Sequence, residues 1–239
     1  MLKSSLLNIT KLILLVMLPF FGVTLNAFAE TNSSVSDKLK NIESNTEGRL
    51  GVFAINTENG HIIKYRADEI FPTQCTSKTI GVAAVLKKSM SDPSLLLQRI
   101  TYSKKDFELG GWSPITEKHV SEGMTVKELC SAAISFSDNT AMNLLLKTIG
   151  GIQGMNDFAR SIGDTSFRQD NDWPADKTLD RPQRDFRSSI PNGWIVGNKT
   201  GTGGAYGSTN DLAIIWPPKH TPIFGIEEFI AKDKKLKAL

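Results

Sequence analysis

The chain has 239 residues, 40% of them hydrophobic and 22% charged, with 19 Gly and 10 Pro, which excludes a disordered, collagen-like or coiled-coil protein. Its 28 basic and 25 acidic residues leave a formal net charge of +3, without the basic excess that nucleic acid attracts, so no nucleic-acid partner is expected. Three isolated histidines (His61, His119, His220) and two distant cysteines (Cys75, Cys130) form no zinc-ligand spacing, so neither a metal nor another cofactor is expected.

Lys3 and Lys11 precede an uncharged apolar run from Leu12 to Leu25, and Ala27-Phe28-Ala29 has the form of a signal-peptidase site. Residues 1–29 are therefore read as a signal peptide cleaved after Ala29, and the protein as exported, periplasmic or secreted. Pro19, Gly22, Thr24 and Asn26 dilute the run, and no later segment is apolar enough to cross a bilayer, so no stable membrane insertion is expected. Residues 30–239 are read as a single domain and the protein as a monomer.

Val35, Leu39 and Ile42 recur at helical spacing between Ser33 and Ser44. Arg49 to Asn56 and His61 to Tyr65 read as a hairpin across Thr57-Glu58-Asn59-Gly60, where Asn-Gly supplies the positive φ of a tight turn. Pro72 to Met90 is a mostly apolar helix with little polar face, which assigns it to the interior.

Thr125-Val126-Lys127-Glu128 is a capping box that opens a helix through Leu129, Ala132, Ala133 and Phe136. Ser137-Asp138-Asn139 interrupts it. Two further helices run to Gly150-Gly151 and to Gly163. Beyond a charged stretch from Gln169 to Ser189, Trp194 to Lys199 and Asp211 to Trp216 read as strands around a glycine-rich turn. Near the end, a short strand from Ile223 to Ile226 is followed by a helix with Ile226, Phe229, Ile230 and Leu236 on one side. Glu227 and Glu228 fall at the start of that helix and Lys232, Lys234, Lys235 and Lys237 toward its end, as its dipole prefers. Strands at both ends around a helical middle give an α+β fold.

Three motifs then stand in order: Phe71-Pro72-Thr73-Gln74-Cys75-Thr76-Ser77-Lys78, Ser137-Asp138-Asn139 and Lys199-Thr200-Gly201-Thr202-Gly203-Gly204. Together with Ser113 to His119 and Tyr206 to Asp211, they resemble the S-x-x-K, S-D-N and K-T-G set of the class A serine β-lactamases. The resemblance covers roughly Ser33 to Gly163 and Ile190 to Pro222. It implies an antiparallel sheet flanked by helices, drawn from residues 30–70 and 190–239. An all-helical lobe at 71–168 and a shortened irregular segment at 169–189 complete the expected division.

Positions 75 and 78 share one face of a helix, so Lys78 can exchange a proton with the side chain at 75. By resemblance, Cys75, Lys78 and Ser137 are the catalytic groups, with Ser137 relaying a proton to the leaving nitrogen of a small-molecule β-lactam. Asn139 then binds the substrate's side-chain amide, and Lys199, Thr200, Gly201 and Thr202 its carboxylate. The backbone N–H groups of 75 and 202 form the oxyanion hole, and Trp112 stands as an aromatic wall. Ser, Asp and Asn are also ordinary helix caps, and a lone Trp is also an ordinary packing residue.

The sequence departs from that pattern at the nucleophile, where Cys75 replaces Ser. A thiol beside a lysine near a helix start has a depressed pKa, while an inert buried thiol or a disulfide to Cys130 are the other readings. The resemblance places the usual pairing position at Val82, about 10 Å along a helix from Cys75 and too far for a bridge. Only 59 residues separate Asn139 from Lys199, and Trp173-Pro174 stands where Trp-Glu-Pro is expected. That glutamate orients the deacylating water, so the resemblance implies a β-lactamase working through a covalent acyl-enzyme with its second half impaired; Asp170 and Asp172 are the candidate replacements. The alternative is an inactive penicillin-binding or vestigial relative.

Overall fold

The computed structural model describes residues 34–46, 48–173, 191–203 and 207–231. The expected signal peptide, positions 174–190 of the shortened segment, the tip of the glycine-rich turn and the lysine-rich end lie outside them.

Helix α1 spans residues 34–46 and ends against the first strand. Its Glu43 carboxylate accepts bonds from Leu50 N (3.0 Å), Tyr65 OH (2.6 Å) and Arg66 Nε (2.8 Å). Burial alone would raise the Glu43 pKa, but these bonds outweigh it and hold the group at about 2.

Strand β1 (Gly48–Asn56) turns into β2 (Ile62–Tyr65) as the Asn-Gly signal requires. Gly60 has φ of 71°, its N–H bonds Asn56 O at 2.8 Å, and the register sets Ile55 opposite Ile62. The interior helix expected over 72–90 starts as a 3-10 turn, Gln74–Ser77, and continues as α2 (Lys78–Ser89).

The lobe that follows is not wholly helical. Strands β3 (Arg99–Ile100) and β4 (Met124–Thr125) form a small antiparallel pair that brackets α3 (Lys104–Gly110) and leads into α4 (Val126–Ser135). Two-residue strands leave no alternating pattern to read. The Thr125 capping box forms as expected, with Thr125 N donating to Glu128 Oε2 at 2.7 Å and Glu128 N to Thr125 Oγ1 at 3.2 Å.

Helix α5 (Asn139–Ile149) lies at the centre of the lobe in contact with α2, α3 and α4, and with α6 (Gly151–Ser161). Met142, Leu144, Leu145 and Leu146 of α5 are buried with Val85, Leu129 and Met155, each worth about 1.5–3 kcal/mol of apolar burial.

Strands β5 (Ile195–Gly203), β6 (Ser208–Trp216) and β7 (Ile223–Ala231) complete one antiparallel sheet of order β2-β1-β7-β6-β5. The expected helix after Ile226 does not form: β7 runs unbroken through Glu227 and Glu228. It is the central strand, paired along its length with β1 on one side and β6 on the other, and two full ladders outweigh the local helical spacing.

Candidate active site

The turn that carries Cys75 packs against β5 and β6 of the sheet and runs on into α2. Gln74 has φ of 51°, a left-handed conformation that side chains avoid, and it opens the 3-10 turn in which Cys75 is the second residue. Thr73 O accepts both the Thr76 N–H (3.1 Å) and the Thr76 hydroxyl (2.5 Å), while Pro72 O accepts Asn210 Nδ2 of β6 (2.5 Å). Strand β5 presses on the same turn through Gly201. A β-carbon there would stand 2.9 Å from Thr73 O and 3.0 Å from the amide nitrogens of Cys75 and Thr76. Glycine is required at 201 because the Cys75 amide occupies the space of its side chain.

One turn on from Cys75, Lys78 is 0% exposed. Its Nζ donates toward Asn139 Oδ1 (2.5 Å), Ser137 O (2.8 Å), Ser137 Oγ (3.2 Å) and Cys75 Sγ (3.5 Å). Three ammonium protons face four acceptors, so the lysine is positioned to pass a proton among them.

The Ser137-Asp138-Asn139 tract is both a cap and a site. Ser137 takes φ of 54°, which turns its hydroxyl inward, and Asp138 caps α5 by accepting Ala141 N at 2.8 Å. Asp138 also accepts Ile115 N (3.0 Å), Thr116 N (2.9 Å) and the Thr116 hydroxyl (3.0 Å), a role that the motif alone does not assign. Asn139 donates from Nδ2 to Gly110 O at 2.8 Å, which fixes its oxygen toward Lys78.

From the sheet side, buried Lys199 donates to Ser137 Oγ (3.0 Å) and Thr200 O (2.7 Å). Ser137 Oγ therefore bridges two lysines. Thr200 and Thr202 are half-buried on β5 beside it.

These charges set the titration of the site. Burial would push the Cys75 thiol up, but the Lys78 charge, a bond with Ser137 and the Lys199 charge together hold it below its ordinary value. Burial brings the Lys78 ammonium down against the opposing pull of Cys75 and Asp138. Lys199, chiefly through burial, is brought down to about 8.

Trp173, 6% exposed, sets its ring 5.5 Å from Lys78 Nζ. Asn143 holds that residue by both backbone groups, accepting Trp173 N and donating to Trp173 O at 3.0 Å each. Asp170 and Asp172 are exposed, and Asp170 pairs with Arg168 at 2.9 Å, so neither acid is aimed at the site.

Trp112 lies at the rim, 53% exposed, with its indole N–H on Phe136 O (3.0 Å) and its own carbonyl accepting Asn139 N (2.8 Å). Cys75 and Cys130 are both free thiols, and burial pushes Cys130 up to about 11. Among the described residues no cluster of His, Cys, Asp and Glu could hold a metal, and no helix is long and apolar enough to cross a membrane.

Residues 34–186 match the profile of the beta-lactamase enzyme family. The chain is 38% identical to beta-lactamase CTX-M-97 of Escherichia coli over 92% of this chain and 88% of that protein. It is 39% identical to beta-lactamase Toho-1 of Escherichia coli, over 90% and 87%. The CTX-M-97 match runs over 261 positions, more than the 239 residues of this chain, so the relative carries residues inside the matched span that are missing here. Among solved structures, a class A beta-lactamase from Mycobacterium abscessus superposes with a TM-score of 0.74 at 36% identity, over 84% of this chain and 92% of that one. A beta-lactamase from Desulfarculus baarsii gives 0.77 at 34%, over 85% and 91%. Identity at this level over most of both chains, on a fold that draws the three motifs together, places the chain in the class A β-lactamase family.

Proposed function

We propose that the protein opens β-lactam rings by acylation of Cys75, as an exported enzyme. The observation that carries this reading is the single hydrogen-bonded path from Cys75 through Lys78 and Ser137 to Lys199. The Cys75 thiolate attacks the lactam carbonyl, with its proton taken up on Lys78. The N–H groups of Cys75 and Thr202 receive the oxyanion, and the substrate carboxylate binds Lys199, Thr200 and Thr202 at Gly201. As the C–N bond breaks, the Ser137 hydroxyl gives its proton to the nitrogen and is reprotonated from the lysines on either side. The substrate's side-chain amide binds Asn139, and Trp112 borders the entrance.

The result is a thioester on Cys75. Its hydrolysis requires a water with a base, and among the described residues no carboxylate bonds to Lys78 or Cys75 at the place that Trp173 lines. Acylation therefore outruns deacylation. The amino-terminal residues support export, which an intact mass lacking residues 1–29 would verify.

The direct test is protein mass after incubation with a penicillin, followed over time. One penicillin mass added to the chain, persisting for many times its formation time, is the expected result. No adduct at any time would defeat the reading and leave a vestigial site.

A further inference from the structure

Under the nucleophile turn the sheet carries a buried polar patch that acylation does not use. Cross-strand register puts Gly51, Glu228, Asn210 and Gly201 in one row across β1, β7, β6 and β5. Row members share a face, here the face that carries Lys199 and meets the Phe71 ring at Gly51. Asn210 is 1% exposed, and the Pro72 carbonyl at 2.5 Å fixes which amide atom faces the turn, since only Nδ2 can donate. Its other end, Oδ1, has no hydrogen-bond partner, and neither has Ser208 Oγ on the same face. A buried acceptor without a donor is rare and asks for one.

Directly opposite Asn210 stands Glu228, whose β-carbon is about 5 Å away in an antiparallel pair, within reach of a carboxyl. Burial pushes this carboxyl above its ordinary value, with the Arg49 charge pulling the other way. Arg49 is otherwise engaged, with its guanidinium at Glu69 Oε2 (3.3 Å), at Ile70 O (2.9 Å) and 4.4 Å above the Phe71 ring. The remaining charged groups around the patch are Lys199 of β5, bonded to Ser137 and Thr200, Lys64 at the far edge on β2, and Asp68 and Glu69 in the exposed loop before Phe71. Among the described residues none forms an ion pair with Glu228.

We propose that Glu228 is a positioning residue for the nucleophile: carrying its proton, it donates to Asn210 Oδ1 and so locks the amide that holds the Pro72 carbonyl, three residues before Cys75. When Glu228 ionises, two acceptors face each other, the Asn210 side chain is pushed off Pro72, and the strained Gln74 turn loosens. The sign follows from a carboxyl raised in the folded state. Its contribution is complete below the ordinary value of 4.5 and is lost as pH rises through the folded-state value. The consequence for acylation rests on Cys75 acting as the nucleophile; the placement of the proton does not.

The test compares the wild type with Glu228→Gln, which keeps a donor at every pH, and Glu228→Leu, which has none. The carboxylic-acid stretch in the infrared difference between wild type and Glu228→Gln should persist above pH 4.5. In the ratio of penicillin acylation rates, wild type over Glu228→Gln, titrations shared with Cys75 and the lysines cancel. The ratio should be near one while the carboxylic-acid band is present and fall by about fivefold as that band disappears, the worth of one net hydrogen bond. Glu228→Leu should lag at every pH. A band that disappears at or below pH 4.5, a flat ratio, or Leu equal to Gln overturns the proposal. If none of the three proteins is acylated, the acylation reading has failed separately. The infrared band and the melting temperature of wild type relative to Glu228→Gln across pH then decide, with a relative loss as pH rises supporting the lock and no trend refuting it.

Discussion

Gly201 and Cys75 approach so closely that a β-carbon on the first would stand 3.0 Å from the amide nitrogen of the second. The obstacle is backbone, which cannot swing aside as a side-chain end can. Gly201→Ala should therefore move the nucleophile turn by a fraction of an ångström and lower the rate of penicillin acylation on the order of a hundredfold. The fold should survive, so mass spectrometry of the adduct alongside a thermal melt separates the effect from unfolding. An unchanged rate would show that the turn tolerates the shift.

Asp138 is fully buried and gathers four donors, from Ile115, from Ala141 and two from Thr116. Asp138→Ala leaves them unpaired and removes the cap of α5, a loss of about 3 kcal/mol or more and a fall in melting temperature on the order of 10 °C. Differential scanning calorimetry measures both. Asp138→Asn, which retains an acceptor, should lose less.

Cys75→Ser tests what the sulfur contributes. The oxygen nucleophile should acylate faster, because its shorter bond suits a pocket of this family, yet turnover should stay slow without a positioned base. The two adducts differ in their discharge. A thioester exchanges with free thiolate and an ester scarcely does, so millimolar small-molecule thiol should strip the penicillin from the parent and leave it on Cys75→Ser. Time-resolved intact mass reads all four cases. Fast multiple turnover by the parent without thiol would show that some group does position the water.

The pH profile of acylation should be a bell. Its acid limb belongs to the Cys75 thiol, held below 9.0 chiefly by the Lys78 charge against its own burial. Its basic limb belongs to Lys199, which loses its charge as pH rises through about 8 and with it the hold on the substrate carboxylate. A substrate with that carboxylate esterified should lose the basic limb and keep the acid one. Because the Lys199 value is lowered in the folded state, its linked stability is present above 10.5 and is lost as pH falls through about 8. Stopped-flow rates and melting temperatures across pH check the two signs independently.

Much of this architecture is legible residue by residue. Asn59-Gly60 fixes the hairpin, Thr125 and Glu128 fix the start of α4, and Ser137-Asp138-Asn139 breaks the chain where α5 begins. These are local signals, each satisfied within four or five residues of chain. The site residues Cys75, Lys78, Ser137, Asn139 and Lys199 are legible through their motifs, and the fold brings them within hydrogen-bond reach of one another. What the sequence conceals is long-range. Glu227 and Glu228 look like the first turn of a helix until β1 and β6 supply a ladder on either side. Asp138 reads as a cap until Thr116 and Ile115 arrive from another loop, and Trp173 reads as a loop aromatic until Asn143 presses it toward Lys78.

The central place of β7 also dictates an order of events. Strands β1 and β2 touch β6 and β5 only through it, so the sheet consists of two separate hairpins until the last of its strands has left the ribosome. More than 160 residues lie between the paired segments β1 and β7, and closing so long a loop is slow. During that interval both hairpins expose an unpaired edge, to each other and to every other chain nearby. The yield of a protein that assembles in this way should depend on chain concentration during refolding more steeply than its finished stability would suggest.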